Sequence, residues 1–235
     1  MKKTIIFLIL ALPMAIFAQK AISWDFPVRP GTLEWNNLNS YQERLNAYNI
    51  PQSILKTITT KELIKACLNY PEYRLVFTRN DLQLGFNYIS TKFNGFKELE
   101  SRNDAGKVLL ELYSEYDPEG FDQNSSDLEI GRYIVRFTYI ELLMAQHGIL
   151  KNFTDTEINE LTHQCVNKYN AKKKQQAYYG IVGLKTTALI LARKHKEYLE
   201  ETLQLFKGND FSLFINKLVV TDPELMDKLV AQCSK

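Results

Sequence analysis

The feature that most constrains the fold is a recurring start signal. Ser40 with Glu43, Thr59 with Glu62, Thr154 with Glu157 and Thr221 with Glu224 each place a hydroxyl residue three positions before a glutamate, next to apolar residues at helical spacing. The hydroxyl accepts the third residue's N–H and the glutamate returns to the hydroxyl residue's own N–H, so donors that a helix start would orphan are satisfied. Apolar residues then recur three and four apart, as in Leu63, Ile64, Cys67 and Leu68, or Ile130, Ile134, Phe137, Ile140, Leu143 and Met144. That period lines one helix face. Ile50-Pro51, Tyr70-Pro71, Asn94-Gly95 and Asn209-Asp210 punctuate the runs, and a residue before proline is pushed out of the helical region. No pair of alternating segments suggests a sheet. The expectation is an all-α fold of roughly ten helices, each about 8 to 20 residues long, arranged as an α-α superhelix or an irregular helical bundle.

The ends read differently. Lys2 and Lys3 precede an apolar run from Ile5 to Phe17, with Ala18 as a small residue for cleavage, the order of a signal peptide. Residues 1–18 are therefore read as a removable leader, and localisation as exported, periplasmic or extracellular. No membrane span is expected in the mature chain. Residues 19–31 are read as an extended N-terminal arm, with Trp24, Phe26 and Val28 alternating with Asp25 and Pro27. Residues 32–235 are read as a single all-helical domain. Within it, Ala177 to Ala192 is apolar nearly all round, which suits a central buried helix, and Gly180 and Gly183 are read as points of close helix approach.

With 235 residues, 45% of them hydrophobic, the chain can build a core without a metal or disulfide framework. Its three cysteines, Cys67, Cys165 and Cys233, are an odd number. Cys67 and Cys165 sit in helical apolar runs, where a thiol behaves as a small hydrophobe, and buried thiols are favoured over a bridge.

Glu160 and His163 share a helix face, but a di-metal bundle needs a second such pair and two more glutamates, and the chain has only His147, His163 and His195. The acidic loop from Asp117 to Asp127 lacks EF-hand spacing and reads as a solvated surface loop. Phosphate-binding glycine loops and nucleophile elbows are missing. No cofactor, metal or catalytic residue is assigned.

Charge is segregated. Leu161 to Lys196 holds eight basic residues and no carboxylate, whereas Glu98 to Glu129 holds ten carboxylates against Arg102 and Lys107. If both stretches stay compact they form two poles that steer charged partners; the alternative is that they neutralise each other across helix contacts or are simply solvated. Lys168, Lys172, Lys173, Lys174, Arg193 and Lys194 are the candidate binding residues of a basic face. The chain's near-neutral balance, 29 basic against 27 acidic residues, gives no support to nucleic-acid binding.

The segments Phe26-Pro-Val-Arg-Pro-Gly-Thr-Leu-Glu-Trp35, Cys67-Leu-Asn-Tyr-Pro71, Phe93-Asn-Gly-Phe-Lys-Glu-Leu99 and Arg102-Asn-Asp-Ala-Gly-Lys-Val-Leu-Leu110 resemble segments of exported, functionally uncharacterised proteins of Bacteroidota. The likeness covers about the N-terminal half of the mature chain. It implies a periplasmic or extracellular location and nothing about chemistry. The expected function is a secreted, non-enzymatic helical scaffold that binds a protein, a peptide or an anionic surface polymer. The alternative is a hydrolase using Cys165 with a distant histidine, or an acidic pair.

Overall fold

The computed structural model describes residues 22–202, 210–220, 222 and 224–235. The leader over 1–18, the first residues of the arm and the helix start at Thr221 and Pro223 lie outside the described residues. The described chain is all-α: fourteen α-helices and one 3-10 helix, with no strand among the described residues. In order they are α1 (Leu33–Asn36), α2 (Tyr41–Ala47), α3 (Gln52–Leu55), α4 (Thr60–Leu68), the 3-10 helix (Tyr73–Thr78), α5 (Leu82–Ser90), α6 (Asn94–Ser101) and α7 (Ala105–Ser114). The second half comprises α8 (Asp127–Met144), α9 (His147–Leu150), α10 (Asp155–Lys174), α11 (Gln176–Lys194), α12 (Lys196–Thr202), α13 (Asp210–Lys217) and α14 (Glu224–Cys233).

Local chemistry sets these boundaries. Ser40 and Thr154 form reciprocal capping boxes with Glu43 and Glu157. Thr59 accepts the Glu62 N–H, but the Glu62 carboxylate turns to Lys65, 2.6 Å away. A further box, Ser126 with Glu129, opens α8 within the stretch expected as loop, because the loop's last hydroxyl also caps the helix. Asn94 starts α6 instead of turning the chain, because its amide bonds both the N–H and the carbonyl of Ile50 at 2.9 and 2.8 Å. The helices outnumber the expectation because several are single turns, and because Tyr73–Thr78 curls into a 3-10 helix that buries Val76.

Phe26 anchors the arm. It adopts φ 46°, is buried, and meets the rings of Tyr48 and Phe93 at 5.7 and 5.5 Å. Trp24 adds a hydrogen bond from its indole N–H to the Tyr48 carbonyl, 3.0 Å. The same aromatic cluster continues through the stacked pair Tyr70–Phe93, 5.0 Å apart, into Phe96 and Phe86. From here one core runs without interruption to Val230.

The bundle is organised around α11, which packs on α8, α10, α12, α13 and α14. In a superhelical stack each repeat touches only its neighbours; the contacts of α5 with α13 and of α10 with α14 break that rule, so the packing is that of an irregular bundle. Gly183 to Ala192 is buried apart from Lys185, but Tyr178, Ile181 and Val182 are exposed. The apolar run is thus two pieces, divided where α11 kinks at Gly180 (φ 55°, ψ −168°). A Cβ at Gly180 would meet nothing within 4 Å, so the glycine is required for its backbone conformation and not for close helix approach. No helix among the described residues is long and apolar enough to cross a membrane.

Candidate functional site

The six candidate cations do not form one basic face. Lys172 is fully buried and ion-paired to Glu141 at 2.6 Å. Lys168 is nearly buried, donates to the Tyr116 carbonyl, and lies 4.8 Å from the Tyr113 ring centre. Arg193 donates to the carbonyls of Ile215 and Ala145 and to the Gln83 amide oxygen. Lys194 donates to the Leu150 carbonyl, and Lys173 pairs with Asp227 at 2.6 Å. Of the six, only Lys173 and Lys174 are exposed. The physical reason is geometric: residues 168 and 172 lie four apart on the face of α10 that packs inward. Nor are the two charge stretches opposite poles. α10 packs on α7, and Lys168 lies beside Asp117. Loop carboxylates are engaged locally, with Asp117 and Asp122 accepting the N–H groups of Glu119 and Asn124.

Glu141 is the centre of a buried polar network that sequence reasoning missed. One carboxylate oxygen accepts from the hydroxyls of Tyr113 (2.9 Å) and Thr187 (2.7 Å), the other from Lys172 and from the Thr186 hydroxyl (2.7 Å). The Lys172 ammonium also reaches Thr187 Oγ1 and the Gly183 carbonyl, and sits 4.0 Å from the Phe137 ring centre. Burial pulls the Lys172 pKa below the ordinary lysine value, with Glu141 opposing the shift. The network ties α7, α8, α10 and α11 together. Its sequence trace was a lone carboxylate inside Ile140-Glu-Leu-Leu-Met144 and the Thr186-Thr187 pair inside an apolar run.

All three cysteines are free thiols. Cys165 is buried against the Tyr113 hydroxyl at 3.9 Å, and burial foremost, then Glu141, pushes its pKa upward. The histidines lie elsewhere. His163 is exposed beside Asn167, and His147 lines a cleft between α9 and α13. His195 sits 2.7 Å from the Thr162 hydroxyl, which itself donates to the Ile158 carbonyl, so His195 Nε2 carries the proton between them. Burial, then Lys194, lowers the His195 pKa. Among the described residues, no hydrogen bond joins a histidine to Cys165.

The surface offers a different candidate. Two adjoining clefts of about 380 and 430 Å³, together termed the groove, share Phe77 as a wall residue. The 3-10 helix contributes Tyr73, Arg74 and Phe77. The outer face of α8 contributes Leu128, Gly131, Arg132 and Val135, at spacings of three, four and seven. The start of α5 brings Arg79, Asp81 and Leu82, and α11 beyond its kink brings Val182 and Lys185. Leu218 ends α13 in the left-handed conformation, φ 56°, an uncommon one for a branched side chain, and sends Val219 and Val220 to the groove wall. Leu128 is 62% exposed, and Val182 and Val219 are also open to solvent.

Four cations rim this apolar floor, and among the described residues none of them has an ion-pair partner. Of the two carboxylates present, Asp81 accepts the Leu84 N–H at 2.6 Å and Asp127 occupies the first turn of α8. Leu128, Gly131 and Val135 form a second stripe on α8, opposite the Ile130–Ile134–Phe137 stripe that faces the core. That second stripe was the legible sign of a two-faced helix. No family model, curated protein or solved structure matches this chain.

Proposed function

We propose that this protein is an exported, non-enzymatic recognition module whose groove binds a peptide segment of another protein, one with apolar anchors flanked by acidic side chains. The observation that carries this is the pair of clefts itself: two mainly apolar hollows that share Phe77, rimmed by Arg74, Arg79, Arg132 and Lys185 without ion-pair partners among the described residues. A contiguous exposed apolar patch inside a polar rim is characteristic of an interaction surface, and unpaired rim cations select acidic partners and speed encounter. Export rests on the Lys2-Lys3 leader and the resemblance described above. Against hydrolysis by Cys165 stands its burial, with a raised pKa and Tyr113 as its hydrogen-bond partner; a nucleophilic thiol requires exposure and a lowered pKa.

Panning a random peptide library on the purified protein tests this. Selected peptides are expected to carry apolar residues interspersed with Asp or Glu, and to bind more weakly as salt is raised. Leu128→Asp removes an exposed anchor site without touching the core, and is expected to weaken binding about tenfold or more, since burying one leucine contributes about 1.5–3 kcal/mol. Selected peptides without acidic residues, or with unchanged affinity for the variant, refute the assignment.

A further inference from the structure

Farther along α5, α11 and α13 from the groove, and bounded also by α9 and the start of α12, a cleft of about 420 Å³ is lined by Gln83, Asn87, Gln146, His147, Leu150, Arg193, Lys196, Ile215 and Asn216. That volume lies in the range of small-molecule sites. The lining holds three basic side chains and four amides but no carboxylate. Arg193 is the fixed point. Its Nε and Nη2 converge on the Ile215 carbonyl at 3.0 and 2.7 Å, Nη2 also reaches Gln83 Oε1 at 2.8 Å, and Nη1 reaches the Ala145 carbonyl at 2.8 Å. Four of its five N–H groups are thereby engaged by neutral oxygens, and one on Nη1 has no acceptor among the described residues. The guanidinium sits against the carboxyl ends of α8 and α13, whose dipoles favour a cation, and no carboxylate among the described residues pairs with it.

The other polar groups are fixed in a way that leaves functional atoms open. Gln83 donates to Asn87 Oδ1 at 2.7 Å and to Gln146 Oε1 at 3.1 Å, while Gln146 donates to the Leu142 carbonyl at 2.6 Å. These bonds orient Asn87, whose Nδ2 donors have no acceptor among the described residues. Asn216 donates to Ser212 at 3.1 Å, which leaves its Oδ1 as an acceptor. Lys196 has one carboxylate partner among the described residues, Glu200, at a loose 3.8 Å with both side chains exposed. Glu100 lies near His147 but bonds the Gly148 N–H and does not line the cleft. Leu150 and Ile215 are the apolar side chains of the lining.

We infer that this cleft is a binding site for a hydroxylated carboxylate of the sugar-acid class. Its carboxylate would meet Arg193, Lys196 and His147, and its hydroxyls would be read by the Asn87 and Asn216 amides. The one N–H that Arg193 keeps on Nη1 can give a carboxylate a single charge-assisted hydrogen bond, and neutral side-chain amides suit hydroxyls because each carries both donors and an acceptor. The site is separate from the peptide groove and does not depend on it.

Isothermal titration of the full chain with D-glucuronate, D-glucose and trigalacturonate tests the assignment. Glucuronate is expected to bind saturably, and at least about tenfold more tightly than glucose, the loss expected when a charged hydrogen-bonding partner is removed. Lys196→Glu, at an exposed position, is expected to weaken it about fivefold or more by reversing one charge, and Asn87→Leu to weaken it without changing its salt dependence. Trigalacturonate binding tightly marks the end of an acidic polysaccharide as the source, and glucuronate alone a free sugar acid; both support the carboxylate class. No saturable glucuronate binding, glucose binding equally well, or no effect of Lys196→Glu overturns it. Peptide binding at the groove, measured on the same Lys196→Glu protein, is expected to be unchanged, so the two assignments fail separately.

Discussion

The Glu141–Lys172 pair makes a quantitative demand. Removing one partner of a buried ion pair costs about 3–5 kcal/mol, because a charge is left uncompensated in the interior. In Lys172→Met the Glu141 carboxylate keeps three hydroxyl donors, from Tyr113, Thr186 and Thr187, which puts the cost near the lower limit, about 3 kcal/mol. In Glu141→Leu the ammonium keeps only Thr187 Oγ1 at 3.1 Å and the Gly183 carbonyl at 3.3 Å, so the cost lies near the upper limit, about 5 kcal/mol. Combining the two removes both charges. Thr186 and Thr187 then fall back on the Gly183 carbonyl, 3.3 and 3.1 Å away, and only the Tyr113 hydroxyl loses its acceptor, at about 1–3 kcal/mol. The double variant is therefore expected to be more stable than Glu141→Leu and no less stable than Lys172→Met. Since folded domains hold about 5–15 kcal/mol in total, the order is measurable by urea titration followed by circular dichroism at pH 7. Calorimetry is expected to place the Tm of Lys172→Met about 6–12 °C below the parent, at about 2–4 °C per kcal/mol for a chain of this size. If Lys172→Met lies within about 1 kcal/mol of the parent, or the two single losses simply add, the network does not behave as a compensated charge pair.

Gly180→Ala is expected to cost about 1–3 kcal/mol from backbone strain alone, since its Cβ meets nothing. Gly85→Ala is expected to cost more, because its Cβ would lie 2.1 Å from the Val76 carbonyl oxygen and must force α5 off the 3-10 helix; urea midpoints order the two. Ser126→Ala and Thr154→Ala each remove a cap, with an expected loss of about 1 kcal/mol. The glutamates of these caps titrate below their ordinary value of 4.5, Glu129 through the Ser126 hydroxyl and then its N–H, Glu157 through the Thr154 N–H and then its hydroxyl. A depressed carboxylate stabilises the fold above its unfolded pKa, and that contribution is lost as pH falls through the folded value. The Glu129→Gln/Glu157→Gln variant is therefore expected to lose less stability than the parent between pH 5 and pH 3, about the window those pKa values set, and identical acid profiles would remove the capping carboxylates from the explanation.

The helices themselves were readable because their causes are local. Ser40 and Thr154 cap where a short polar side chain can reach a nearby N–H, and Tyr70-Pro71 stops α4 whatever surrounds it. The candidate sites were not readable in that way. Residues 168 to 174 appear as one basic cluster in the sequence, yet Lys172 turns inward and Lys174 outward, and only the placement of Glu141 explains why the interior accepts an ammonium. The groove was hidden for the same reason: Leu128, Phe77, Val182 and Val219 come from four segments whose adjacency no local signal encodes.

Composition, spacing and capping thus determined an all-α chain, its main helix starts and the burial of Cys67 and Cys165, because each follows from interactions within a few residues. Tertiary packing alone decided which lysines became structural, where α11 bends, and which polar and apolar side chains share a cleft. Those outcomes depend on which helix faces meet, and a helix carries the same periodic signal whichever neighbour covers it.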